Sequence, residues 1–464
     1  MTFNSLAYMV FLPLVVALYY CTPARWRWLP LLAASVYFYM YFIPVFMLVM
    51  AAVILVDYGA ARMMGAQPQR KRFWLVASLT ANIGVLFTFK YLTASLAGWN
   101  EMMNALDWNY SLPALKIILP IGLSFHTFQA MSYTIEVYFG RQAPEKHLGY
   151  YALYVMFFPQ LVAGPIERPQ NLLPQLHHPP LFNDEKFVSG LRLILWGLFK
   201  KTVMADRLSE FVDGTYGSYL VQPAQNLILA TIFFSFQIYY DFSAYSDIAR
   251  GSARLFGFDL MVNFRMPYFS TSFSEFWNRW HISLSTWFRD YVYIPLGGSR
   301  TSESKTIRNL GLVFLISGIW HGAGVTFLIW GLLHLFYLLW ERRFVKPVIG
   351  GGLWFRRVRT FFLVTVAWIF FRADSLAQAI AIVQECFFLN HFDFFIWRTL
   401  PGLMTSVFLI TVVTIGEYFW EEKKIGEWFF SAPRAVRWSA YYGILITIAF
   451  MGQAVDAPFI YFQF

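Results

Sequence analysis

The chain has 464 residues, of which 58% are apolar and only 13% are charged. Soluble globular proteins carry about 25% charged residues, so this composition excludes a soluble enzyme and predicts a helical membrane protein. The formal net charge is +10, but the basic residues lie in short loops between apolar runs, which indicates membrane topology rather than nucleic-acid binding.

Apolar runs follow one another along the chain, and at about 20 residues a span the length accommodates roughly ten to twelve spans. We predict an all-α polytopic fold in a single integral-membrane domain, residues 1–464, with about 11 transmembrane helices and additional re-entrant and interfacial helices. The candidate spans are 6–21, 28–42, 44–62, 73–95, 114–138, 148–164, 187–204, 223–242, 360–373, 401–420 and 438–453.

Two of these apolar regions contain polar side chains. Residues 119–140 include His126, Gln129 and Glu136, which we interpret as groups that form hydrogen bonds between helices. Asp241 and Asp247 end the apolar run near 234–258. These carboxylates either form a structural ion pair at a helix end, which is the favoured interpretation, or bind a substrate hydroxyl.

The segment 272–298 has the pattern of an amphipathic helix. Ser272 followed by Glu275 is a capping-box signature, and an aromatic face follows at spacings of 3 and 4 through Trp277, Trp280, Leu284, Trp287 and Tyr291. We predict an interfacial helix with Arg289 off that face. His281 lies about 80° from the centre of the aromatic face, and by itself it indicates a structural histidine.

His321 lies near the middle of the apolar stretch 310–340, with Gly318, Gly322 and Gly324 close to it. Ionisable residues at membrane depth are rare and usually functional. Basic segments flank the stretch at 250–308 and 342–359, and both should be cytoplasmic. The stretch is therefore predicted to be a re-entrant or doubly inserted hairpin with His321 near its tip. One long tilted helix is the alternative.

The common motifs of soluble enzymes are absent from the sequence. It contains no Walker loop, no GxGxxG in a strand-to-helix context, no GxSxG and no HExxH, and no histidines at zinc spacing, so no metal is predicted. Burial favours the neutral imidazole, which can accept a proton from a hydroxyl. His321 could therefore be a catalytic base, or a proton-relay group in a transporter.

Several motifs resemble the membrane-bound O-acyltransferase family, in the branch of alginate O-acetylation proteins and the D-alanyl transfer protein of lipoteichoic acid. They occupy roughly residues 119–335. The matching strings are LPIGLSFHTFQAMSYTIEVY, FPQLVAGPIERP, FKKTVMADRL, QIYYDFSAYSDIA, EFWNRWHISLSTWFRDYVYIPLGG and GIWHGAGVTFLIWGLLH.

The resemblance implies a ring of helices around a thin centre with a tunnel. It matches His321 to the family's invariant histidine and His281 to its second histidine position, which makes both catalytic candidates. Weaker candidates for the substrate path are Trp280, Trp320, Asp241, Asp247 and Arg289.

The resemblance also implies an O-acetyltransferase of the bacterial inner membrane that serves an alginate-like exopolysaccharide or a cell-wall polysaccharide. The donor would be acetyl-CoA or an acyl carrier thioester on the cytoplasmic side, with no permanently bound cofactor. A separate periplasmic partner of the SGNH-hydrolase kind is expected. The competing hypotheses are a transporter of an acyl donor or lipid-linked sugar, and a scaffold for a synthase complex.

Overall fold

The computed structural model describes residues 1–108, 112, 117–344, 352–392, 401–422, 425–453 and 459–460. Within these ranges all regular structure is helical, as the sequence predicts. The chain divides into two compact units, and two of the three boundaries fall inside helices. One unit comprises Met1–Arg192 with Ala249–Met261, and the other comprises Leu193–Ile248 with Val262–Phe464.

The first unit contains the helices of the N-terminal part of the chain. They are α1 Leu6–Cys21, α2 Trp28–Met40, α3 Phe46–Ala66, α4 Lys71–Lys90, α5 Leu92–Ala105, α6 Leu123–Tyr138, α7 Leu148–Met156 and α8 Pro169–His177, followed by the first nine residues of α9 Asp184–Phe199.

The second unit begins within α9 and contains a π-helical segment, Lys200–Ala205. Its helices are α10 Asp206–Gly217, most of α11 Ala224–Leu255, α12 Phe273–Arg279, α13 Ile282–Phe288, α14 Glu303–His321, α15 Val325–Phe344, α16 Leu353–Arg372, α17 Leu376–Phe388, α18 Pro401–Glu422, α19 Ile425–Ser431 and α20 Arg434–Met451.

Among the described residues, five helical stretches are long and apolar enough to cross a membrane. They are Phe46–Ala66, Pro68–Lys90, Ala224–Leu255, Val325–Phe344 and Gly402–Trp420. The membrane character is thus confirmed, while the number of about 11 spans stays a prediction. The start of the predicted span 114–138 and part of the basic segment 342–359 lie outside the described residues.

The predicted span 148–164 is only partly helical, because α7 ends at Met156. The chain then continues as a buried loop through Pro159 and Pro165, residues that interrupt helices. Two hydrogen bonds hold it within the first unit: the Gln160 amide nitrogen donates to the carbonyl of Tyr154 at 3.1 Å, and the Gly164 N–H donates to the carbonyl of Gln160 at 2.9 Å. Buried irregular backbone needs such partners, so this loop is packed structure rather than a membrane-spanning helix.

The predicted hairpin around His321 is confirmed as a break between two helices. α14 ends at His321 and α15 begins at Val325. A Cβ atom on Gly318 would lie 2.7 Å from the Phe327 carbonyl oxygen, and one on Gly331 would lie 2.6 Å from that of Phe314. The two antiparallel backbones are therefore in direct contact, which excludes a single long helix. That both limbs enter the membrane stays a prediction.

The prediction of a single amphipathic helix at 272–298 is wrong. The Ser272 side chain does cap α12 by accepting the N–H of Glu275 at 3.0 Å, but α12 ends at Arg279 and α13 begins at Ile282. His281 adopts a left-handed conformation with φ 42°, which ends the helical periodicity. The aromatic residues Trp280 and Trp287 are consequently buried in the second unit instead of forming one interfacial face.

Candidate active site

The imidazole of His321 is buried among aromatic rings at the end of α14. Its ring centroid lies 4.7 Å from that of Trp320, 4.9 Å from Trp330 and 5.3 Å from Phe371. The helix stops there because Gly322 is extended, and its N–H donates to the Gly318 carbonyl at 3.2 Å. This C-terminal break places the histidine at the turn of the hairpin.

His281 reaches the same cluster from the break between α12 and α13. Asn263 holds this break: its carbonyl accepts the N–H of Ile282 at 2.9 Å, and its side-chain oxygen accepts that of Ser283 at 3.1 Å. The buried imidazole of His281 packs edge-on against Phe242 at 4.6 Å. An asparagine distant in sequence therefore supports a backbone turn that directs His281 into the core.

The Trp320 ring packs against both predicted histidines. Its ring centroid is 6.2 Å from His281 and 4.7 Å from His321, so the structure brings both histidines and this tryptophan into one cluster. Apolar walls favour the uncharged form of an imidazole. A neutral imidazole can accept a proton from a hydroxyl and return it to a leaving group.

Trp280, another weaker candidate, is buried in the adjoining aromatic core. Its ring packs against those of Phe264 and Trp368, each at 5.1 Å. These contacts connect the C-terminal end of α12 to α16. The position of Trp280 beside the histidine cluster is consistent with a role in shaping its wall.

Asp241 and Asp247 form ion pairs with lysines of the π-helical segment. Lys201 Nζ lies 2.8 Å from Asp241 Oδ1, and Lys200 Nζ lies 2.7 Å from Asp247 Oδ2. The favoured interpretation of both carboxylates was a structural ion pair, and these two lysines are their partners. The adjacent lysines were missed as partners because the sequence pattern did not reveal which helix faces α11.

Arg289 lies in the π-helical segment Arg289–Tyr293 that follows α13. Its side chain is 58% exposed and pairs with Asp290 at 2.8 Å. The structure therefore places Arg289 outside the buried aromatic cluster.

The carboxylate of Glu275 stabilises the start of α12. Burial disfavours its charge, but the N–H and hydroxyl of Thr271, both at 2.7 Å, and the Arg279 guanidinium at 2.8 Å outweigh that effect and lower the pKa of Glu275. The Glu275 carboxylate thus reinforces the predicted Ser272 cap by binding Thr271, the residue before Ser272.

His334 is a third buried histidine of the second unit, and the sequence interpretation did not single it out. It lies on α15, and its ring centroid is 5.0 Å from that of Trp330, which also contacts His321. A signal was present in the sequence, because a second histidine in one apolar run is unusual. Its spacing of four residues from Trp330 places both on one helix face.

Comparison with known proteins identifies the family of this chain. Residues 142–372 match the model of MBOAT, the membrane-bound O-acyltransferase family. The probable alginate O-acetylase of Pseudomonas aeruginosa is 38% identical over 396 residues, which cover 83% of this chain and 75% of that protein.

Two further relatives have different named activities. The peptidoglycan O-acetyltransferase of Helicobacter pylori is 35% identical, over 78% of this chain and 73% of that protein. The teichoic acid D-alanyltransferase of Bacillus subtilis is 28% identical, over 50% of this chain and 63% of that protein. The extent of the matches to the alginate and peptidoglycan relatives establishes that the chain belongs to the membrane-bound O-acyltransferase family.

Proposed function

We propose that this protein is an O-acetyltransferase of the bacterial inner membrane, which moves an acetyl group from a cytoplasmic thioester towards a secreted or cell-wall polysaccharide. Relatives named as O-acetylating proteins of alginate and peptidoglycan, 35–38% identical to this chain, support acetyl as the group transferred. The observation that carries the proposal is the pair of buried imidazoles, His281 and His321, which both pack against Trp320.

His321 is the general base in this proposal. Its neutral imidazole accepts the proton of an acceptor hydroxyl while the hydroxyl oxygen attacks the thioester carbonyl carbon. The carbon–sulfur bond then breaks, and the imidazolium returns the proton to the departing thiolate. The products are an ester and a free thiol, and the histidine regains its starting state.

His281 positions the donor or its acyl carbonyl in the same proposal. Its backbone is constrained by Asn263, and its ring is held against Phe242, so the imidazole is fixed before the substrate arrives. Such preorganisation lowers the cost of orienting reactants. Trp320, in contact with both rings, would separate the donor side from the acceptor side.

The proposed architecture is a ring of about 11 transmembrane helices around a central tunnel. The donor, acetyl-CoA or an acyl carrier thioester, enters from the cytoplasmic side, where the basic segments of the sequence attract an anionic molecule. The acceptor enters from the opposite side and passes the acetyl group to the polysaccharide with a periplasmic partner of the SGNH-hydrolase kind.

The test is to replace His321 by Gln in cells that depend on this protein for acetylation. We expect O-acetyl groups in the extracellular and cell-wall polysaccharides to fall by a factor of about 10² to 10⁴, the usual contribution of general acid–base catalysis. His126→Gln is the matched control, because His126 is a buried histidine of the first unit. The amount of each variant in the membrane is measured by immunoblot.

Two other outcomes separate the competing hypotheses. Wild-type acetylation by a His321→Gln protein would contradict the catalytic role of this residue. If, in addition, deletion of the protein abolished acetylation while His321→Gln and His281→Asn both restored it, the protein would act as a transporter or scaffold.

A further inference from the structure

Asp57 is a fully buried carboxylate near the middle of α3, a helix that is long and apolar enough to cross a membrane. The nearer end of the helix, Ala66, lies roughly 14 Å away along the helix axis. In the part of the chain that the structure describes, no basic side chain pairs with this carboxylate, and its hydrogen bonds come from a serine and an asparagine. An unbalanced negative charge at that depth is strongly unfavourable, so Asp57 requires a group that neutralises it.

Side chains from α4 and α6 complete a polar cluster around Asp57 within the first unit. Ser78 Oγ donates to Asp57 Oδ1 at 2.6 Å, and Asn82 Nδ2 donates to Oδ1 at 2.8 Å and to Oδ2 at 3.0 Å. Thr134 Oγ1 lies 3.1 Å from Ser78 Oγ. All four residues of this Asp57 cluster are at most 1% exposed, so their polar groups must satisfy one another or a bound ligand.

The amide oxygen of Asn82 is not satisfied within the cluster. Asn82 Oδ1 is buried and has no hydrogen-bond partner among the described residues. It shares a carbon with Nδ2, so it lies within about 5 Å of the Asp57 carboxylate. A proton on Asp57 would neutralise the charge but would leave this oxygen buried and unpaired, which is unfavourable. A cation bound in the cluster would meet both requirements, since it would balance the carboxylate and take the Asn82 oxygen as a ligand.

The donor atoms and the charge of the cluster indicate which cation fits. The cluster offers five side-chain oxygens, two from Asp57 and one each from Ser78, Asn82 and Thr134. Oxygen ligands without nitrogen or sulfur suit hard cations rather than the later transition metals. Calcium sites commonly use several carboxylates, and magnesium retains several waters, whereas the single carboxylate here balances one positive charge. The cluster therefore matches a small monovalent cation.

We propose that Asp57, Ser78, Asn82 and Thr134 form a binding site for one sodium ion. The carboxylate balances the charge of the ion, and the two hydroxyl oxygens complete its coordination with the amide oxygen. A half-turn of the Asn82 amide about its Cβ–Cγ bond presents Oδ1 to the ion in place of Nδ2. The bound ion connects α3, α4 and α6. This inference does not depend on the proposed acetyl transfer, because the site contains no residue of the proposed reaction centre.

Equilibrium binding of radioactive Na⁺ to the purified full-length protein in detergent tests the site. We expect saturable binding of one ion per chain to the wild type. Asp57→Asn preserves the size and shape of the side chain but removes its charge, so the affinity for Na⁺ should fall at least about tenfold. Wild-type affinity in Asp57→Asn, or the lack of saturable binding to the wild-type protein, would overturn the proposal.

Two variants that remove a hydroxyl from α4 test the assignment of the ligands. Ser78→Ala removes one oxygen of the Asp57 cluster and should weaken Na⁺ binding about tenfold. Thr88→Val is the matched control, because the Thr88 hydroxyl is exposed on the same helix, where it donates to the Gly84 carbonyl at 2.9 Å. It should bind Na⁺ as the wild type does. Equal affinities of the two variants would contradict the assignment of Ser78 as a ligand.

Thermal unfolding of the wild-type protein provides a test that needs no variant. NaCl replaces N-methyl-D-glucamine chloride, whose cation is too large for the cluster, at a constant ionic strength of about 0.15 M. A ligand that binds only the folded protein raises Tm, so Na⁺ should raise Tm by about 2 °C or more, and the larger K⁺ should raise it less. Equal Tm values in Na⁺ and N-methyl-D-glucamine would overturn the proposal and assign the neutralisation of Asp57 to a proton. Equal or greater stabilisation by K⁺ would exclude sodium as the ion.

Discussion

The Nζ atom of Lys201 lies 2.8 Å from Oδ1 of Asp241, and both side chains are buried. Lys201 also pairs with Asp206 at 2.8 Å, while Oδ2 of Asp241 accepts the backbone N–H of Ile460 at 2.7 Å. One buried lysine thus connects the π-helical segment with α10 and α11, and through Asp241 with residues near the C-terminus.

Lys201→Met should destabilise the protein by about 3–5 kcal/mol, because it leaves two carboxylates buried without their cation. The double variant Lys201→Met, Asp241→Asn should recover part of this loss by removing one of those charges. Thermal unfolding in detergent measures the stability of both the single and the double variant. Lys186→Met is the control: its pair with Asp259 is partly exposed, so it should change stability by less than about 1 kcal/mol. Equal effects of the two single changes would contradict the structural role of Lys201.

Gly318→Ala should force α14 and α15 apart at the turn that carries His321. The added methyl group would lie 2.7 Å from the Phe327 carbonyl oxygen, and overpacking of this kind costs about 1–3 kcal/mol. We expect lower thermal stability and reduced acetylation in the same variant.

Gly311→Ala provides the comparison on the same helix. A methyl group there meets only the Leu335 side chain, at 3.8 Å, and alanine is favoured over glycine inside helices by about 0.5–1 kcal/mol. This variant should be neutral or slightly more stable. A similar loss in both glycine variants would show that close packing at Gly318 is unimportant.

His281 contributes both a backbone conformation and an imidazole, and two substitutions separate them. Asparagine tolerates the left-handed conformation better than alanine does, so His281→Asn should be more stable than His281→Ala by about 1 kcal/mol. Neither retains the imidazole, so both should lose acetyl transfer at least tenfold if His281 positions the donor. Thermal unfolding and polysaccharide acetylation are measured side by side. Full transfer by His281→Asn would make this residue purely structural.

Local patterns in the sequence were sufficient for the helical membrane class and for the hairpin break. The run of apolar segments requires helices, because backbone groups in lipid must be satisfied within each segment. The glycines around His321 likewise indicated where the chain turns, and the Ser272 cap was correct because capping depends on residues only three positions apart. Each of these features is decided by neighbours along the chain.

Periodicity failed at 272–298 because the helix break depends on a residue outside that segment. Asn263 binds the N–H groups of Ile282 and Ser283, and nothing in the spacing of the tryptophans reveals it. The pairing of Asp241 with Lys201 was hidden for the same reason, since it joins two helices about 40 residues apart in sequence.

The sequence by itself determined that this is a helical membrane protein, marked His321 as exceptional and carried the motifs of its family. Only the tertiary structure decided that Trp320 packs against both His281 and His321, and that Trp330 connects His321 to the buried His334. Hydrophobic runs and caps are properties of a short stretch of chain, whereas ring contacts between helices depend on how those helices pack, which local spacing does not encode.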